Sequence, residues 1–287
     1  MAGAVLRAAS TLARVLPRPA RLALYRLGPL TDLLRSLLNR AAPTGVHPVR
    51  VAAGELAGMW LLLDLQVDKD LWLGTYEPQL AAAIRRFARP GSVAYDLGAN
   101  VGYAALLLAR AVGPAGRVIA FEPLPENLDR LRRAISLNGL EPRFEVIPAA
   151  AGTRSGSGSF LVHASGGMGR LEGGAGRTDG FVSKIPVDVV SLDDFVFRRA
   201  NPAPSLVKVD LEGGEAQALR GMARLLIQAR PILLLELHGT AAKEGIDLLT
   251  EAGYATHAMR DGYPRILGEA AEKKSKHVVA LPLETAG

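Results

Sequence analysis

No cysteine occurs anywhere in the 287 residues. Disulfides, thiolate zinc sites and cysteine nucleophiles are thereby excluded, and the redox compartment stays open. Long apolar runs are missing too. Although 49% of the chain is hydrophobic, no stretch reaches the about 18 uninterrupted apolar residues of a membrane-spanning helix. Acidic residues are nearly absent from the first fifty positions, which hold eight arginines (7, 14, 18, 21, 26, 35, 40 and 50) against Asp32 alone. The overall charge of +6 therefore belongs to an arm. The remaining residues carry 26 basic and 27 acidic side chains, so no phosphate-tracking surface, and no nucleic-acid partner, is expected.

What is present divides the chain in two: a basic amphipathic helical arm over 1–48 and one α/β domain over 49–287, a length sufficient for a sizeable core. In the arm, Leu30, Leu33, Leu34, Leu37 and Leu38 recur at helical spacing, with Asp32, Arg35, Ser36, Asn39 and Arg40 on the other side. Three uses fit it: a helix packed on the domain, a peripheral contact with anionic lipid, or a processed targeting segment. The first twenty residues lack the clean apolar core and small-residue cleavage site of a secretory signal. The expected location is the cytoplasm, with the inner face of the membrane as the variant.

From residue 91 onward, β-rich runs alternate with segments of helical period: "SVAYDLG" then 103–112, "RVIAFEP" then 125–138, "RFEVIPAA", "SLVKVDLEG" then 214–229, and "PILLLELHG" then 240–252. Apolar strands separated by helices predict a parallel sheet covered on both faces. "YATHAM" and "KHVVALP", joined through the turn-like "RDGYPR", predict an antiparallel finish. Residues 151–185, rich in glycine and serine, break this rhythm. They read either as a surface loop or short hairpin, or as a loop over a substrate.

The first of these strands ends in "DLGANVGY". In an open α/β sheet, ligands bind beyond the carboxyl ends of the strands, where strand order reverses. Gly98 permits a tight turn, and Gly102 lets the next helix approach the strand. Glu122 closes the second strand, placed to accept hydrogen bonds from two ribose hydroxyls. A phosphate-binding P-loop requires a Gly-Lys-Ser/Thr sequence that is missing here. A dinucleotide site requires G-x-G-x-x-G, but Asn100 stands at the second glycine position. S-adenosylmethionine, with no phosphate and a cationic methionine end, suits the acid Asp96. Asp96, Gly98, Asn100, Gly102 and Glu122 are accordingly read as donor-binding, and Glu77 in "TYEPQL" as approaching the methionine end if its segment folds over the site.

Six ordered blocks, "DLGANVGY", "VIAFEPLPENLDRLRRAISLNGL", "IPAAAG", "VSLDDF", "VKVDLEGGEAQALRGM" and "PILLLELHG", together with "DKDLWLGTYEPQL" upstream, resemble the FkbM-type S-adenosylmethionine-dependent methyltransferases. The likeness covers residues 60 to 283. It implies a class I methyltransferase, Rossmann-like fold: a mostly parallel seven-stranded sheet with the last strand antiparallel and helices on both faces. It also implies a donor contact at Ala150 in "IPAAAG" and methylation of a hydroxyl oxygen on a sugar, glycolipid or other natural product. The competing functions are a non-catalytic cofactor-binding or scaffold protein on the same fold, and a nicotinamide-dependent oxidoreductase.

A hydroxyl is a poor nucleophile until its proton is leaving, so a base is expected. Lys208 and Asp210 share one parity of their strand, and Glu236 and His238 share one parity of the next. If these strands are neighbours, the four converge as the catalytic group, with Asp210 or His238 as base. A buried Lys208 demands a carboxylate partner, expected in Asp210 or Glu236. The alternatives are an ion network that only shapes the pocket, and a divalent metal held by Asp210, Glu212 and Glu236 or His238. His163, His257 and His277 read as ordinary polar residues, Trp60 and Trp72 as cover for an apolar edge, and Asn127 as a local hydrogen-bonding residue.

Overall fold

The computed structural model describes residues 2–16, 36, 38–164, 167–175, 179–239, 241–266 and 277–283. Helix α1 (Ala2–Val15) precedes an antiparallel pair, β1 (Val46–Arg50) and β2 (Trp60–Asp64), then α2 (Lys69–Leu73) and α3 (Pro78–Phe87). The regular alternation follows: β3 (Val93–Leu97), α4 (Tyr103–Val112), β4 (Arg117–Phe121), α5 (Pro125–Leu137) and β5 (Phe144–Ile147). Next come β6 (Ala149–Ala151), β7 (Gly156–His163), β8 (Gly169–Leu171) and β9 (Phe181–Val190). The chain then returns through β10 (Leu206–Val209), α6 (Glu215–Arg220), α7 (Ala223–Gln228), β11 (Ile232–Glu236), α8 (Ala241–Glu251), β12 (Tyr254–Ala258) and β13 (His277–Pro282).

The seven-stranded sheet has the order β12-β13-β11-β10-β3-β4-β5. β10, β11, β3, β4 and β5 pair in parallel, and β13 runs antiparallel to both β11 and β12. This is the class I methyltransferase arrangement the sequence predicts. Strands buried on both faces send alternate residues to opposite layers. In β3, Ala94 joins a core shared with α3, α4 and α5, whereas Tyr95 and Leu97 join one shared with α6, α7 and α8. The order reverses at β3, flanked by β10 and β4, which puts the crevice beyond Leu97.

Three boundaries differ from the sequence reading. "RFEVIPAA" is two strands: Pro148 cannot donate to a ladder, and the chain leaves the large sheet there for a second one. The helix expected over 214–229 breaks between α6 and α7 at Gly221, where a Cβ would fall 2.0 Å from the Gly152 carbonyl oxygen. The glycine-rich 151–185 is ordered in large part as a four-stranded sheet, β6-β9-β7-β8, whose β7–β9 hairpin extends to Val190. Glycine is required there by contact: a Cβ on Gly158 would sit 2.7 Å from Val189, and one on Gly169 would sit 2.4 Å from the Phe160 ring.

Of the arm, Leu6, Ala9 and Ala13 of α1, with Leu38, pack on the core of the main domain. Leu30, Leu33, Leu34 and Leu37 lie outside the described residues. Among the described residues no helix is long and apolar enough to cross a membrane.

Candidate active site

Two clefts meet at the carboxyl edge of β3, β4 and β10, sharing Gly98, Asn100, Gly167, Met168 and Asp210. The smaller is walled by Glu122, Leu124, Ala150, Phe160 and Leu171. The larger, about 840 Å³, takes in Tyr76, Glu77, Tyr103, Asn127 and Lys208. That volume lies within the roughly 300–1,000 Å³ of small-molecule sites.

The turn after β3 is built around two close approaches. A Cβ at Gly98, whose φ is +76°, would lie 2.0 Å from the Asp210 carbonyl oxygen, and one at Gly102 would lie 2.8 Å from Leu131 on α5. Glu122, 4% exposed, is clamped by this turn. Its Oε2 accepts the Asn100 N–H at 2.8 Å; its Oε1 accepts the Leu124 N–H at 2.9 Å and the Asn127 amide at 3.3 Å. Burial raises its pKa, and these hydrogen bonds hold the carboxylate against that rise. Asn127 also donates to the Gly167 carbonyl at 2.9 Å, tying the β7–β9 insertion to α5, and its buried Oδ1 has no hydrogen-bond partner among the described residues. Three non-glycine residues in the left-handed region, Glu77 (φ 36°), Asn100 (φ 49°) and Glu212 (φ 52°), border the clefts. Such strain persists only where surroundings enforce it.

Lys208 is 5% exposed in the middle of the sheet. Its Nζ lies 3.1 Å from Asp96 Oδ1 and 3.8 Å from Asp210 Oδ2, and donates to the Gly98 carbonyl at 2.8 Å. Burial opposes its charge, but the two aspartates raise its pKa overall. One expectation is met in part and another changes. Asp210 is a partner of Lys208, as expected, but the nearer one is Asp96, its cross-strand neighbour, and Glu236 is none. Asp96, fully buried, lines neither cleft, so its charge is spent on Lys208 and not presented to a ligand.

His238 does not fit the role of base. Its Nδ1 lies 2.9 Å from Glu215 Oε1, and its Nε2 lies 3.5 Å from Glu236 Oε1 and 3.8 Å from Glu212 Oε2. Burial lowers the basicity of the ring, but Glu215, Glu236 and Asp210 outweigh it and carry the pKa up to about 10. Both ring nitrogens are turned to carboxylates and not to the clefts. Glu236 is held ionised, well below the usual carboxylate range, by hydrogen bonds from His238 and His277; it acts as a clamp between two strands. Asp210 alone of the four faces the shared part of the clefts, with 24% of its side chain exposed. Burial lifts its pKa to about 7; Lys208 and His238 restrain the rise, and Glu236 and Glu77 add to it.

Of the two metal arrangements read from sequence, the one with His238 assembles: Asp210, Glu212 and His238 form one group whose ligand atoms lie within 4.8 Å of one another, whereas Glu236 groups with Glu77 and His277 instead. Sequence reasoning missed three contributors. Glu215, 0% exposed, takes the Leu211 and Gly213 N–H groups and so fixes the turn after Asp210; an acid in a helix's first turn has the same sequence signature as an ordinary cap. His277, read as ordinary, lies 3.4 Å from Glu236 across antiparallel strands. Tyr76, beside Tyr103 at 5.5 Å, faces the larger cleft.

Since the charge of His238 is raised by folding, its stabilisation is complete below its ordinary pKa of about 6.5 and fades as pH climbs towards about 10. Chemical denaturation from pH 6 to 10 is expected to show that decline, flattened in His238→Ala; an unchanged slope in the variant would sink the assignment.

Residues 96–256 match the family described as the methyltransferase FkbM domain. The chain belongs to the FkbM methyltransferase family. A hexuronic acid methyltransferase, AglP, of Haloferax volcanii is 27% identical over 211 residues, covering 73% of this chain and 79% of the relative. An arsenite methyltransferase of Halobacterium salinarum is 36% identical over 72 residues, 25% of this chain and 17% of that one. Among solved structures, a methyltransferase FkbM from Methylobacillus flagellatus KT aligns at 18% identity and TM-score 0.42, over 76% of this chain and 54% of its own; this chain thus spans about half of that protein. A SAM-dependent O-methyltransferase from Thermotoga maritima aligns at 12% identity and TM-score 0.45, covering 90% of this chain and 83% of that one. The methyl donor of this FkbM methyltransferase is S-adenosylmethionine, and the site suits it: a buried carboxylate at the end of β4 beside a slot walled by Leu124, Ala150, Phe160 and Leu171, without the lysine or glycine pattern of a phosphate cradle.

Proposed function

We propose that this FkbM methyltransferase methylates a hydroxyl oxygen of a sugar or related natural product, with Asp210 as the base. The observation carrying this reading is the place of Asp210: one carboxylate of raised pKa where the smaller slot and the larger cleft meet. The name of the Haloferax relative supports a sugar acceptor. When bound, S-adenosylmethionine supplies an electrophilic methyl group on its sulfonium. In this reading Glu122 accepts the ribose hydroxyls; Leu124, Ala150, Phe160 and Leu171 enclose the adenine; Gly98 and Asn100 bring main chain close. Lys208 fixes that turn relative to Asp210, and Glu77 borders the acceptor side. Asp210 would take the hydroxyl proton as the acceptor oxygen bonds to the methyl carbon and the carbon–sulfur bond breaks, the donor leaving as its neutral thioether. This reading needs no metal, so turnover is expected to survive a chelator; loss restored by Mg²⁺ would reject this and give the Asp210, Glu212 and His238 group to a cation.

Glu122→Ala is expected to weaken S-adenosylmethionine binding by about 1–3 kcal/mol, the scale of hydrogen bonds to a charged group, as read by calorimetry. Unchanged affinity would move the ribose elsewhere. The reaction itself is tested by offering labelled donor with sugar glycosides and locating the label on oxygen.

The arm supports a further element of this reading, a peripheral membrane contact that brings the enzyme to a lipid-linked acceptor. Its support is the clustering of eight arginines in fifty residues, each worth about 1 kcal/mol near an anionic leaflet; the packing of α1 favours the structural alternative. Full-length protein is expected to sediment with anionic vesicles at low salt and a chain starting at residue 46 to remain in solution. If both stay in solution, the contact is refuted.

A further inference from the structure

The larger cleft is acidic beyond what methyl transfer requires. Among the described residues on its wall, seven are carboxylates and three are cations. Each of these cations is already engaged. Arg130 lies 2.5 Å from Asp68 and donates to the Leu62 carbonyl at 2.8 Å; Arg133 lies 3.6 Å from Asp129; Lys208 serves Asp96 and the Gly98 carbonyl. With Lys208 spent on Asp96, and Asp210 left out because its pKa is lifted to about 7, six wall carboxylates face two arginines, a surplus of four; S-adenosylmethionine, with two positive charges and one negative, offsets one of them. Three remain for the acceptor to meet.

Aromatic surface lies on the same wall. Tyr76, 39% exposed, and Tyr103 sit edge to face, ring centres 5.5 Å apart. Tyrosine rings attract an ammonium through the negative face of the ring and cover the apolar face of a sugar. An added carboxylate would meet like charge with every cation of the described wall taken, an arrangement that suppresses wrong partners.

We propose, building on the hydroxyl-methylation reading, that the cleft selects an amine-bearing sugar or polyol as acceptor and rejects a carboxylate-bearing one. Selectivity then resides in the surplus of unneutralised acid on the wall, to which exposed Glu126 contributes. Methylation still falls on a hydroxyl; the amine supplies recognition.

Three glycosides sharing one aglycone, a 2-amino-hexoside, the neutral hexoside and the hexuronoside, are offered with labelled donor, and kcat/KM is measured for each. The amine form is expected to be fastest and the uronate slowest, at least about tenfold apart. The span should shrink in 0.5 M salt, where screening is strong, and in Glu126→Gln, read as a ratio of rates within that variant. A uronate matching or exceeding the neutral sugar at low salt overturns the selectivity and leaves hydroxyl methylation standing. Label on none of the three while donor binding persists rejects hydroxyl methylation of sugars, and the selectivity with it.

Discussion

Asp210→Asn is expected to lower kcat/KM by about 10²–10⁴-fold, the range for one positioned acid–base group, while the affinity for S-adenosylmethionine stays within a factor of two or so. The pH profile sharpens the test. Asp210 must be ionised to accept a proton, and burial lifts its pKa to about 7. Wild-type kcat/KM should therefore rise with unit slope on the acid side and level off above about pH 7. In Asp210→Asn that limb should vanish with the activity. A second outcome has a clear meaning: if Asp210→Asn retains activity within a few-fold and the limb persists, holding the hydroxyl in line with the methyl group suffices for the rate, and some other group titrates.

Lys208→Met is expected to cost about 3–5 kcal/mol of folding stability, because it strands a buried carboxylate. Asp96 is wholly inaccessible, and Lys208 is its cross-strand ion partner. Removing the cation leaves an anion with no water to turn to. The double variant Lys208→Met/Asp96→Asn should recover most of the loss, since a neutral amide has no charge to desolvate. Denaturant titration of the four proteins separates this from simple cavity damage: additive losses in the double variant would show that the pair contributes nothing as a pair. The double variant should also bind donor more weakly, because Lys208 donates to the Gly98 carbonyl.

Much of this was legible in the residues. Seven apolar runs marked the seven strands of the large sheet, since doubly buried parallel strands admit few polar residues. Their carboxyl ends gave Glu122 and Asp210 for the same reason: a charge ending such a run sits where the sheet opens. Partnership was less legible. Lys208 lies two residues from Asp210 but pairs with Asp96, more than a hundred residues away, because the reversal of strand order brings β3 beside β10. The roles of Glu236 and His238 changed likewise: His277, arriving on the antiparallel last strand, and Glu215 fix both side chains, and neither neighbour is close in sequence. The insertion was hidden by its composition. Glycine and serine mark loops by propensity, yet here small residues are demanded by close packing against Val189 and Phe160.

Gly98 has a consequence for how such an enzyme can diverge. The main chain of the donor turn and that of the base-bearing strand touch there, with no room for a methyl group. A mutation that loosens one therefore displaces the other: a side chain added at Gly98 would shift Asp210 as well as the donor turn. The β7–β9 hairpin and the acidic wall carry no such coupling through Gly98, so the acceptor side has room to vary where the donor turn has none.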